Sequence, residues 1–184
     1  MTDYSAVLTA IQADARYQDN LDWGKPREGH PEGTVRAHIA EIESNLKSLS
    51  HKLTRLEQDQ LRVLIHTHDT FKADAKQGVP ILDPRSHASL ARAFLAEFID
   101  DEDLLAIVQF HDEPFALWNQ VRSKGSHNAE RFATLLANIR DWDLFLAFNI
   151  IDGCTEGKSG EPVRWLFEQV EGRVDSRLTK DDVL

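Results

Sequence analysis

Disulfide bonding is excluded at the outset, because the 184 residues contain one cysteine, Cys154. A lone thiol cannot close an internal crosslink and fits a reducing cytosol. Glycine and proline are scarce, at 9 and 6 residues. With no repeat or low-complexity stretch, the chain offers no linker and reads as a single domain over 1–184. No apolar run approaches the roughly 18 residues of a membrane span. The start, Met1-Thr2-Asp3-Tyr4, lacks the basic and apolar parts of a secretory signal, so a cytoplasmic protein with no membrane partner is expected. Basic residues are outnumbered 31 to 21, for a formal net charge of −10. That balance argues against a nucleic-acid backbone as partner. A small anionic substrate stays compatible, since a metal and a few local cations invert the field inside a pocket.

Apolar residues recur with helical spacing nearly throughout, and no segment alternates like a strand. The pattern predicts helices over about 4–15, 34–50, 54–67, 86–98, 101–110, from 113 onward, 128–139, 141–151 and 161–174. Breaks fall at Gly24 to Gly33, at Gly78-Val79-Pro80, at Gly125-Ser126 and after Asp152. The expected fold is an all-α bundle of eight or nine helices, with a polar tail, 175–184, that frays.

Several polar residues fall where that pattern wants apolar ones. His38 lies three after Val35 and four before Ile42. His68 follows Leu61, Leu64 and Ile65 by seven, four and three, with Asp69 adjacent. His87 precedes Leu90, Ala91 and Phe94, His111 follows Ile107 and Val108, and Asp152 follows Phe145 and Phe148 at the same helical intervals. Residues three, four or seven apart share a helix face. By the same test His51, His66 and His127 fall on solvated faces or in loops. One inward histidine is ordinarily a hydrogen-bonded core residue. Several, together with two carboxylates, would threaten a fold whose whole margin is ~5–15 kcal/mol unless their charge is compensated. Imidazole and carboxylate converging on one place is transition-metal chemistry.

The ordered set His38, His68-Asp69, Asp152 resembles the signature of the HD-domain superfamily of helical, metal-dependent phosphohydrolases. The stretch His68-Asp69-Thr70-Phe71-Lys72 is similar to that family's His-Asp-x-x-Lys element. His30-Pro31-Glu32-Gly33, followed by His38, resembles the entry to its first ligand helix. The likeness covers about 29–158. It implies that His38, His68, Asp69 and Asp152 hold one divalent ion. With His87 and His111 in the places of two further family histidines, it implies a second ion bridged by Asp69. Mn, Fe, Co, Mg, Ni and Zn all suit such ligands.

The resemblance further implies hydrolysis of a small phosphorylated substrate, a phosphate ester or nucleotide, by a metal-activated water, with Asp69 central to catalysis. Lys72 would reach a phosphate oxygen or a neighbouring carboxylate. His30 and Lys158 are candidate substrate contacts, against plain readings as a loop histidine and a surface lysine. Asp112 and Glu113 read either as support for the ligands or as a helix cap and first-turn acid. Trp23, Phe71, Phe115 and Trp118 are aromatic candidates for stacking on a base, or core. Cys154 reads as a small packed residue, and Arg92 and Arg122 as surface. Two rival functions keep the same ligands: an HD-fold di-iron oxygenase, suggested by His111-Asp112-Glu113, and a non-catalytic, nucleotide-sensing metal-binding module.

Overall fold

A computed structural model describes residues 2–184. Helices there are α1 (Tyr4–Ala13), α2 (Ala15–Asn20), α3 (Val35–Leu49), α4 (Arg55–Thr67) and α5 (His87–Leu95). They continue as α6 (Glu102–Phe110), α7 (Glu113–Lys124), α8 (Ala129–Asn138), α9 (Trp142–Gly153) and α10 (Glu161–Val170). Nine are nine residues or longer and α2 has six. With two 3₁₀ turns and no strand among the described residues, this is the expected all-α bundle.

Caps set the helix starts where the sequence placed them. Thr54 and Glu57 form a reciprocal capping box at α4, and Ser86 accepts from the Ser89 amide at α5. Each satisfies amides that a helix N-terminus otherwise leaves unpaired. Helix α4 is the hub and packs against α1, α3, α5, α6 and α9. Its Leu61, Val63, Leu64 and Ile65 are essentially solvent-free. Helix α9 is buried from Leu144 to Ile151 without a polar stripe, as expected of a helix enclosed on all sides.

Three local expectations are corrected. The first helix does not run unbroken: Asp14 adopts an extended backbone, ends α1 and caps α2 by accepting from the Arg16 amide. The last helix stops at Val170, and Gly172 takes the left-handed conformation just beyond it. The tail is docked rather than frayed. Leu178 is buried, Ser176 and Arg177 hold Asp143, Arg177 also pairs with Glu57, and Lys52 pairs with Asp182. Composition showed its polarity but not the carboxylates waiting for it.

Candidate metal centre

Four helix ends and one helix interior deliver the six polar residues to one place. His68 caps the C-terminus of α4, with Asp69 in the following turn, and His111 caps α6 in the same way. His87 opens α5, Asp152 lies in the last turn of α9, and His38 lies inside α3. His38, His68, Asp69 and His111 are buried, whereas His87 and Asp152 are half-buried.

Helix ends also fix which ring nitrogen is available. The His68 Nδ1 lies 3.2 and 3.1 Å from the Leu64 and Ile65 carbonyls, and the His111 Nδ1 lies 2.7 Å from the Val108 carbonyl. A carbonyl only accepts, so Nδ1 carries a proton in both rings and Nε2 is the atom turned toward the carboxylates. Both Nε2 atoms point to Asp69. Its Oδ2 lies 3.5 Å from His68 and 3.8 Å from His38, while its Oδ1 lies 3.7 Å from His111 and 3.9 Å from His87. The two oxygens of one carboxylate thus face two different histidine pairs. Asp152 Oδ1 completes the first side, 3.0 Å from His38 Nε2 and 4.0 Å from His68 Nε2.

These distances gather ligand atoms into two groups that could each hold a metal ion: His38, His68 and Asp152, and Asp69, His87 and His111. The group passes a further test of fit. His68 Nε2 and Asp69 Oδ1 are fully buried and have no hydrogen-bond partner. An orphaned buried acceptor costs ~1–3 kcal/mol, more when charged, and these two aim at the spaces between the ligands. Divalent ions suit this nitrogen and oxygen donor set.

Electrostatics follow the same division. Burial lowers the His68 pKa to about 4, against the attraction of Asp69 and Asp152. Burial also opposes protonation of His111, but Asp112 and Asp69 more than offset it and raise that ring to about 9. Burial pushes the Asp69 carboxyl upward, yet Lys72 and His68 hold it well below the ordinary carboxylate range. Asp152 is held down likewise, by Lys158 and His38 against burial.

The lysines sit on the carboxylates. Lys72 Nζ lies 2.5 Å from Asp69 Oδ2, and Lys158 Nζ lies 3.0 Å from Asp152 Oδ1 and 2.9 Å from its carbonyl. Of the two readings weighed for Lys158, the surface lysine is therefore set aside. Lys72 takes the neighbouring-carboxylate alternative. Both line a cavity of about 580 Å³ that opens onto Asp69, His111 and Asp152. His30, Arg27, Arg122, Phe115 and Trp118 line it too, so the loop histidine does reach the site. Arg122 lies over the Trp118 ring, 4.9 Å from its centroid. A second cavity, of about 800 Å³, shares Asp112 and Phe115 with the first and includes His87.

The structure chooses between the two readings of Asp112 and Glu113, adds Glu32 as a partner of His38, and corrects His66. Asp112 stands at the N-cap position of α7 without capping it; its Oδ2 turns to His87 Nε2 at 3.1 Å. Glu113 faces away and pairs with Arg131. Glu32 has Oε1 2.9 Å from His30 Nδ1 and 3.0 Å from His38 Nδ1, and loop residues have no periodicity that could have exposed this. His66 is corrected from a solvated face to a buried position, because Tyr17 of α2 covers it with Oη 2.5 Å from Nδ1. Of the other aromatics, Phe71 is core, packed on Phe94, while Trp23 is exposed. Arg92 pairs with Glu102, away from the site.

The loops that bring His30 close depend on glycine. Gly24 has φ +117°, and a Cβ there would lie 2.2 Å from the Gly33 carbonyl oxygen, so the hairpin closes only without a side chain. Gly157 lets the loop after α9 abut Pro31.

No family model, curated protein or solved structure matches this chain. No helix among the described residues is long and apolar enough to cross a membrane.

Proposed function

We propose that this protein is an HD-type, metal-dependent phosphohydrolase with a two-ion centre. His38, His68 and Asp152 would hold one ion, His87 and His111 the other, and Asp69 both. The observation that carries the reading is the Asp69 carboxylate, whose separate oxygens face the two histidine pairs. When bound, divalent ions would supply Lewis acidity, acidifying a water and neutralising charge on phosphoryl oxygens.

The chain's own residues supply the rest. Lys72 and Lys158 offset the charge of Asp69 and Asp152 and keep both carboxylates ionised, as ligands must be. Their ammonium groups border the cavity, where a phosphate would meet them together with Arg27 and His30. Phe115 and Trp118 give that cavity an apolar wall for the remainder of the substrate. Phe148 packs edge-on against His68 and His111, with ring centroids at 5.1 and 6.2 Å, and keeps water away from the back of the ligands.

The test is reconstitution of metal-free protein under argon with manganese, cobalt or magnesium, followed by a panel of phosphate esters and nucleotides. Phosphate release is expected, and its loss in Asp69→Asn. Turnover that requires both iron and oxygen, with no phosphate release, would replace this reading with the oxygenase. Metal binding without turnover of any substrate would favour the sensing module.

A further inference from the structure

The two ligand histidines at helix C-termini, His68 and His111, direct Nδ1 to a backbone carbonyl of their own last turn. His38 does not do this: it lies inside α3, and its buried Nδ1 makes no hydrogen bond to a backbone carbonyl. What its Nδ1 meets is the Glu32 carboxylate, with Oε1 at 3.0 Å. The same oxygen lies 2.9 Å from Nδ1 of His30, whose ring stands edge-on to His38 with centroids 5.3 Å apart. The Glu32 side chain is about nine-tenths buried. Glu32 Oε2 and His38 Nδ1 are both enclosed without an aligned hydrogen-bond partner.

We infer that Glu32 is a positioning residue for the metal centre: it orients the His38 ring and keeps the proton on Nδ1, so that Nε2 is presented as the ligand. This inference rests on the metal-centre reading above. The three side chains have an alternative use, because His30, Glu32 and His38 also offer atoms close enough together to hold a cation. The His38 ring decides against it. Its Nε2 already faces Asp152 and Asp69, and serving cations through both nitrogens would strip the imidazole of every proton. A carboxylate behind a ligand histidine has a simpler use. It fixes the tautomer and raises the basicity of the coordinating nitrogen, and its loss ordinarily weakens metal binding ~10–100-fold. His30 contributes by pinning the carboxylate from the cavity side, so that the loop closed by Gly24 and Gly33 becomes part of the metal support.

The experiment is titration of metal-free protein with cobalt(II), read by its visible absorption and by calorimetry, with thermal melting of the metal-free proteins alongside. Glu32→Ala is expected to weaken cobalt binding ~10–100-fold while the metal-free melting temperature stays near that of the parent. Glu32→Gln, which conserves volume and keeps an oxygen acceptor, is expected to fold and to recover part of the affinity. It carries the test if the alanine variant does not fold. Parent-like cobalt affinity in Glu32→Ala, or in Glu32→Gln when alanine fails to fold, would overturn the inference and leave the metal centre standing. A parent that takes up no cobalt, or takes it up equally after His38→Ala, would overturn both.

Discussion

Two histidines of one segment, His66 and His68, are both buried and differ in what surrounds them. His66 is closed off by Tyr17, whose hydroxyl meets its Nδ1, with Glu43 3.7 Å from Nε2. His68 has one nitrogen tied to backbone carbonyls and the other left without a partner, facing two carboxylates. Burial alone would have grouped them. The unsatisfied Nε2 separates a histidine that completes the packing from one that awaits a ligand, because native folds rarely leave a buried acceptor unpaired without cause.

The contrast can be broken most sharply at the carboxylate shared by both halves of the centre. Asp69→Asn should take bound metal from about two ions per chain to a minor residue and phosphate release to background, since each half loses a ligand and the net charge that attracts cations. Full metal content in that variant, by elemental analysis, would sink the two-ion centre. Next in size is the second half alone. His87→Ala with His111→Ala should lower the stoichiometry from about two to about one with the helical circular dichroism intact. Unchanged stoichiometry would reduce the centre to a single ion.

The comparison itself is sharpened by exchanging the roles of its two members. His66→Ala should cost ~1–3 kcal/mol in urea unfolding, by removing the partner of a buried tyrosine hydroxyl, and leave metal content unchanged. His68→Ala should remove metal and activity. It also loses the Nδ1 bonds and leaves a cavity beside Phe148, at ~2–5 kcal/mol, so metal content and not stability separates it from His66→Ala. Equal metal content in the two variants would remove the distinction drawn here.

The smallest effect concerns a half-buried charge with close partners, Asp143. Burial pushes the Asp143 carboxyl up, but Ser176 and Arg177 more than offset it and hold it below 3.8. A carboxyl lowered on folding stabilises the protein above its unfolded value and loses that contribution as pH falls through the folded value. Acid unfolding below about pH 4 should therefore be shallower in Asp143→Asn, with the variant already weaker at neutral pH. A parallel pH dependence would show that the tail dock contributes no linkage.

Much of the helix plan was legible. Thr54 with Glu57, Ser86, and the apolar spacing around Leu61 to Ile65 are local signals, and local hydrogen bonds realise them. The inward histidines were legible for the same reason, since helical periodicity sorts one face from another. His66 escaped, because its covering tyrosine arrives from 49 residues away. Asp112 was ambiguous, because a helix cap and a partner for His87 require the same residue type at the same position. Glu32 was marked only as part of the His30-to-Gly33 entry, because a loop without period could not show that it meets His38.

The sequence by itself determined which residues turn inward, where the helices begin, and the ordered motif His38, His68-Asp69, Lys72, Asp152 that resembles the HD family. Those are properties of short-range spacing and of residue type. Only the tertiary structure decided that Asp69 faces two histidine pairs, that Lys72 and Lys158 lie on carboxylates, and that Glu32 backs His38. The first depends on how helices far apart in the chain pack around α4. The lysine and Glu32 contacts span only three to six residues, but they run through turns and loops whose course no periodicity describes.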